Sequence, residues 1–297
     1  RSEDETVADV LRPAASRQKG RDADKREMAQ SEKERLPITA TEAVAGVRRL
    51  VILGQPGGGK STLVNHITTQ LARQRRGDAG VNLRHWPAAH SPLPVRIVLR
   101  RFADWLTREK RRGETGDVWD YLAYLLGRWG CSDSYNGLRQ TLIKEGGVFF
   151  FDGLDEIRDV AMRRAVIKGA VARFAADEDK CQVIVTSRPY AYEDTKWRLP
   201  DDQFAVVRLA PFDDPQIEAF ITAWYTQVMG PRRDWSQEQF HLRASRLTRT
   251  ILGRPHLRRL AASPLLLTLM AQVDSSGVEA MLPNNRAELY KQTVDLL

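Results

Sequence analysis

The stretch Leu50-Val51-Ile52-Leu53-Gly54-Gln55-Pro56-Gly57-Gly58-Gly59-Lys60-Ser61-Thr62 leaves this chain few folds to choose from. Four apolar residues make a short buried strand, and a glycine-rich turn follows. Leu63, Val64, Ile67 and Leu71 then recur at helical spacing. The turn reads G-x-x-x-x-G-K-S from Gly54 to Ser61. Glycines let successive backbone N–H groups converge on one point without a Cβ in the way, and the next helix adds its positive N-terminal end. Such a cradle takes phosphate. The expected contacts are Gly54, Gln55, Pro56, Gly57, Gly58, Gly59, Lys60, Ser61 and Thr62, with Lys60 against the β/γ-phosphates and the Ser61 hydroxyl on Mg²⁺.

A second apolar run, Gly147-Val148-Phe149-Phe150-Phe151, ends in Asp152-Gly153-Leu154-Asp155-Glu156. A continuous apolar run of this length suits a central parallel strand buried on both faces. An aspartate at its C-terminal edge meets the crevice where open α/β sheets bind ligands, so Asp152 is the expected second Mg²⁺ ligand. Three carboxylates so close repel one another unless a cation or a reacting water uses them. Asp155 and Glu156 are therefore candidate catalytic residues, with Glu156 the better placed to polarise water. A fourth apolar run, Gln182 to Ser187, leads into Arg188-Pro189, and Arg188 becomes a candidate sensor of the γ-phosphate. Val95–Arg100 alternates like a strand, and Ala205–Leu209 supplies a fifth.

Around this core the organisation reads simply. Residues 1–35 are dense in interleaved charges and suit a solvated helical linker. Thr41 is placed to cap a short helix running into Val47. Trp119, Tyr121, Leu122, Leu125 and Leu126 fit an amphipathic helix whose aromatics serve core packing. From Pro211 helical periods replace strands: Asp213 or Asp214 caps one helix, a second runs from about Ser236 to Leu252, and others hold Leu257–Leu269 and Asn285–Val294. Residues 36–209 are thus expected to form the nucleotide-binding domain, and 210–297 a small all-helical domain cut short at its C-terminus. The chain starts at Arg1 without Met and stops in a helical pattern, so a fragment of something longer is expected.

A net charge of +8 with both signs dispersed permits nucleic-acid contact without demanding it. Cys131 and Cys181 lie far apart with no metal-ligand spacing near either, which fits a reducing cytoplasm. No apolar run is long enough to span a bilayer.

The chain resembles the NACHT NTPases of the STAND class, an NLR-related and here bacterial type, over roughly Leu36 to Leu297. The marks are G-Q-P-G-G-G-K-S-T, then F-F-F-D-G-L-D-E-I with a small residue after the aspartate and an acidic pair two residues on. Thr186-Ser187-Arg188-Pro189, Leu209-Ala210-Pro211-Phe212, Ser263-Pro264-Leu265-Leu266-Leu267-Thr268 and Leu282-Pro283 complete them. The resemblance implies an α/β P-loop NTPase with a five-stranded parallel sheet of order 5-1-4-3-2, flanked by helices and followed by a helical domain. It implies ADP at rest, exchange for ATP, slow hydrolysis, and assembly into a homo-oligomer. An upstream effector and a downstream sensor in the full-length chain, and immune or antiphage defence, go with it. By the same match Pro264 packs near the nucleotide base, and Leu36-Pro37-Ile38 lies along the adenine. Other readings differ in what they require. An AAA+-like motor acting on nucleic acid or protein needs pore-loop aromatics, which are not evident, and a GTPase needs an N-K-x-D motif, which is absent.

Overall fold

The computed structural model describes residues 38–81, 83, 86, 91–194, 197–230, 236–276, 282–283 and 285–295. The charged segment 1–35 and the Leu36-Pro37 dipeptide lie outside the described residues. Contacts divide the chain into two compact units. One holds the residues up to Gly54 together with Lys60–Leu209; the other holds Gln55–Gly59 together with the residues from Ala210 on.

The first unit is built on five strands: β1 (Arg49–Leu53), β2 (Leu93–Val98), β3 (Gly147–Asp152), β4 (Gln182–Ser187) and β5 (Ala205–Arg208). They pair in parallel in the order β2-β3-β4-β1-β5, which from the other edge is the expected 5-1-4-3-2. Its helices are α1 (Ala40–Gly46), α2 (Lys60–Arg75), α3 (Leu99–Arg108), α4 (Thr115–Arg128), α5 (Tyr135–Glu145), α6 (Val160–Ala165), α7 (Phe174–Asp177) and α8 (Pro189–Glu193). A π-helical segment, Val166–Arg173, joins α6 to α7.

Alternation along each strand sorts side chains into two cores. Val51, Leu53, Phe149, Phe151, Val183 and Val185 pack with α3, α4 and the π segment, where Phe102, Trp119, Tyr121 and Val171 are buried. Leu50, Ile52, Val148, Phe150 and Ile184 pack with α1 and α2 through Val44, Val64, Ile67 and Leu71. Every residue of β3 is buried, as its unbroken apolar run requires. Truncating one of its phenylalanines to alanine would cost about 3–5 kcal/mol.

Two local expectations change. The cap of α1 is Thr39, not Thr41: its hydroxyl accepts the Glu42 N–H, and the Glu42 carboxylate closes a capping box on the Thr39 N–H. And β2 stops at Val98, which pairs with the last residue of β3, so Leu99 and Arg100 open a helix instead of extending the strand. Leu99, Phe102, Ala103 and Leu106 share a buried helical face, and burying them favours the turn into α3.

The second unit is helical: α9 (Asp214–Ala223) runs into a π segment Trp224–Met229, followed by α10 (Gln237–Leu252), α11 (Pro255–Ala261), α12 (Pro264–Ser275) and α13 (Arg286–Asp295). Asp213 caps α9 and Ser236 caps α10, each through a capping box with the glutamine three residues on. Ile217, Tyr225, Leu247, Ile251, Leu267, Met270 and Leu289 form its core. Within this unit the Leu265 N–H at the start of α12 donates to the Gly57 carbonyl at 3.2 Å. Among the described residues no helix is long and apolar enough to cross a membrane.

Candidate nucleotide site

Strand β1 leads directly into the glycine-rich turn. The Gly54 N–H donates to Ser187 O at 3.1 Å and the Leu209 N–H to Leu53 O at 2.8 Å, so neighbours on both sides hold the exit of the strand. Gly57 (φ 74°) and Gly59 (φ 86°) adopt left-handed backbone, which side chains resist. The Gly58 N–H closes the turn onto Gln55 O at 2.9 Å, and a Cβ on Gly58 would sit 3.0 Å from that oxygen. The turn is therefore a cradle of bare backbone. Helix α2 starts at Lys60 with no acid in its first turn, and its opening N–H groups lack intrahelical partners, as in any helix. Gln55, Pro56, Ser61 and Thr62 are exposed.

The Lys60 Nζ donates to Gly54 O at 2.6 Å. Burial pushes its amine below the ordinary lysine range; Asp155 opposes that shift, the Arg188 charge adds to it, and Asp152 and Glu156 oppose it. Lys60 thus stands within the fields of all four charged residues that the sequence singled out.

Asp152 ends β3 almost fully buried, 3% exposed. Its Oδ1 accepts from the Ser61 hydroxyl at 3.2 Å and the Thr186 hydroxyl at 2.7 Å. Its Oδ2 accepts from an Arg96 guanidinium N–H at 2.7 Å, and Arg96 also donates to Asn65 Oδ1 at 2.6 Å. Thr186 has a second task, accepting the Gly153 N–H at 2.8 Å. That bond fixes the turn after Asp152, where Gly153 has φ 85° and a Cβ would meet the Glu156 carboxyl carbon at 3.1 Å. The left-handed backbone at this position favours glycine.

The acidic pair separates into two environments. Asp155 receives both the Arg188 backbone N–H (3.0 Å) and its Nε (2.9 Å), and its side chain is only 7% exposed. Glu156 is exposed and lines a cavity of about 400 Å³ with Arg100, Arg158 and Asp159. Arg163 pins the loop that carries them, donating to the carbonyls of Asp155 (3.1 Å) and Ile157 (2.9 Å). Pro264 begins α12 in the helical unit, where its Cγ would lie 3.8 Å from a Cβ on Gly59.

The fold thus brings together Gly54, Lys60, Ser61, Asp152, Asp155, Glu156 and Arg188. It adds three that sequence reading missed: Arg96, Asn65 and Thr186. Among the described residues no group of three or more His, Cys, Asp or Glu is arranged to hold a metal ion by itself. The Ser61–Asp152 oxygen pair suits the sparse way Mg²⁺ is held, by one or two protein oxygens plus phosphates and water.

A parallel sheet of this order, with a glycine-rich cradle after β1 and a buried aspartate ending β3, defines a P-loop NTPase. The chain belongs to the NACHT family: the NACHT domain model matches residues 48–227. No curated protein matches the chain. Among solved structures it is similar to a Pyrococcus horikoshii signal transduction ATPase with numerous domains (STAND) protein carrying a tetratricopeptide repeat sensor. Identity is 15%, TM-score 0.39, with 100% of this chain and 34% of that one covered. It is also similar to C. elegans PCH-2 (12% identity, TM-score 0.43, 92% and 66% covered). A third is domain III of the Thermotoga maritima replication initiation protein DnaA (15%, 0.41, 94% and 92%). The chain spans about a third of the STAND protein's length.

Proposed function

We propose that this chain is the nucleotide-gated switch of a signalling protein: it binds ATP with Mg²⁺, hydrolyses it slowly, and assembles into a homo-oligomer in the ATP state. Residues 36–209 serve as the nucleotide-binding domain and 210–297 as the helical domain. An effector upstream and a sensor downstream complete the protein, whose setting is cytoplasmic immune or antiphage defence.

The observation that carries this reading is the clamp between Asp155 and Arg188, in the field of Lys60. In the proposed complex Lys60 and the N–H groups of Gly54–Thr62 hold the phosphates, and Ser61 and Asp152 hold the Mg²⁺. Once bound, the metal offsets the negative charge of the transferring phosphoryl oxygens. Arg188, fixed through both its backbone and its side chain, reads the γ-phosphate. Asp155 acts through Arg188 as a positioning residue. Glu156, exposed beside the rigid Gly153 turn, is the group free to orient a water and take its proton. Pro264 contributes on the side of the base.

Sizing chromatography with ADP and with a non-hydrolysable ATP analogue, alongside direct nucleotide titration, tests this. The parent should elute larger with the analogue than with ADP. Lys60→Ala should lose nucleotide affinity and stay small in both. Retained affinity in Lys60→Ala, or a parent whose size ignores the nucleotide, would sink the proposal.

A further inference from the structure

Away from the cradle, a second cavity of about 410 Å³ lies where the α3–α4 connection meets α6 and the π segment. Its lining is Arg112, Gly113, Glu114, Ala161, Arg164, Ala165, Lys168, Gly169 and Arg173. The floor is small residues and bare backbone: Gly169 packs so tightly that a Cβ on it would lie 2.0 Å from the Gly113 carbonyl. The rim is four exposed cations facing a single carboxylate, Glu114.

The cations outnumber the carboxylate that faces them. Among the described residues Arg112, Lys168 and Arg173 make no ion pair or side-chain hydrogen bond, and Arg164 makes only a cation–π contact, 5.8 Å from the Trp197 ring centroid. Neighbouring acids are engaged elsewhere. Asp117 accepts the Gly113 and Glu114 N–H groups at 2.8 and 2.9 Å, Asp120 pairs with Arg111 at 2.7 Å, and Asp177 accepts from Thr115 at 2.8 Å. Among the described residues only Glu114 offers these four positive charges a carboxylate within the cavity, and an external anion would relieve the repulsion that remains.

Their layout points to a chain-like anion. Arg164 and Lys168 are four residues apart, and Lys168 and Arg173 five apart in a segment bonded i to i+5, so the three follow one helical face. At no more than 1.5 Å of rise per residue, the nine steps from Arg164 to Arg173 span at most about 13 Å. A compact anion needs charges that converge, whereas a row fits repeated phosphates; a bilayer surface would want large apolar side chains alongside, and the lining offers alanine and glycine.

We propose that this cavity and its rim bind the phosphodiester backbone of nucleic acid without reading its sequence, independently of the nucleotide site. The test is fluorescence anisotropy with a labelled 20-residue single strand and the matching duplex, at 50 and 200 mM salt. About three to four phosphate contacts predict a log–log salt slope near −2 to −3 for the single strand. Lys168→Glu/Arg173→Glu should weaken binding at least tenfold and flatten the slope, and the milder Lys168→Gln/Arg173→Gln should do so in part if the reversal fails to fold. Lys60→Ala should bind the oligonucleotides like the parent. The proposal is overturned by a parent that does not bind at 50 mM salt, or by folded variants that bind as the parent does. Equally fatal are displacement of the oligonucleotide by equimolar inorganic triphosphate, which marks a compact-anion site, and variants that lose only binding to phosphatidylserine vesicles.

Discussion

Replacing Arg96 with leucine tests how much the buried Asp152 depends on its arginine partner. The pair is close, at 2.7 Å, and asymmetric: the aspartate side chain is 4% exposed and the arginine side chain 28%. Removing one partner of a fully buried pair costs about 3–5 kcal/mol, because the other charge is left without compensation. Here the arginine is partly solvated and Thr186 and Ser61 still donate to the carboxylate, so the loss falls to about 2 kcal/mol. Two smaller effects nearly cancel: the bond to Asn65 disappears, worth about 1 kcal/mol, and so does the Arg96 Nε, which is buried without a hydrogen-bond partner. For a unit of this size about 2 kcal/mol lowers the melting temperature by roughly 4–8 °C. Scanning calorimetry without nucleotide should show that drop for Arg96→Leu. Adding Mg²⁺ and nucleotide should stabilise the variant more than the parent, since a cation beside Asp152 replaces the charge removed. A nucleotide-free melting temperature within 1 °C of the parent would refute the reasoning.

Thr186→Val keeps the shape but leaves the Gly153 N–H without its acceptor and Asp152 with one donor fewer; urea melts should show a loss of about 2–3 kcal/mol. Gly153→Ala forces a side chain into left-handed backbone and against Glu156, so a loss of about 1–2 kcal/mol is expected in the same assay, and none would mean the turn relaxes freely. Burial raises the Cys181 thiol to about 11 and the Tyr121 and Tyr192 phenols to about 12. The fold thus favours their protonated forms. Their contribution is whole below the ordinary thiol value of 9.0 and is lost as pH rises from there through about 12. Urea midpoints should be lower at pH 10.5 than at pH 8; equal midpoints would contradict it.

Patterns confined to neighbouring residues were the readable part of this chain. The cradle from Gly54 to Thr62, the buried β3 run and the helix starts near Asp213 and Ser236 all announce themselves over a few positions. The α1 cap shows the limit: Thr39-Ala40-Thr41-Glu42 offers two hydroxyls, and only the three-residue spacing to Glu42 selects Thr39. The residues that were missed depend on strand register. Arg96 reads as the polar half of an alternating strand until Val98 is seen to pair with Asp152, which puts both charges at one edge of the sheet. Thr186 was passed over for Arg188 because its reach to Asp152 depends on how β4 lies against β3. The π segments have no local signature, and the one at Val166–Arg173 carries Lys168 and Arg173 on from Arg164.

Counting lone pairs on Asp152 gives its three hydrogen bonds a further meaning. An ionised carboxylate has about four acceptor sites. Thr186 and Ser61 fill those of Oδ1 and Arg96 takes one on Oδ2, which leaves a single vacancy. Of the three donors only Ser61 can turn its hydroxyl proton away and offer an oxygen lone pair in its place, since Arg96 has no acceptor and Thr186 is bound to Gly153 as well. A rotation about one Ser61 bond would therefore release an aspartate acceptor and supply an oxygen ligand together, so the serine's hydroxyl rotor sets the coordination capacity of the pair.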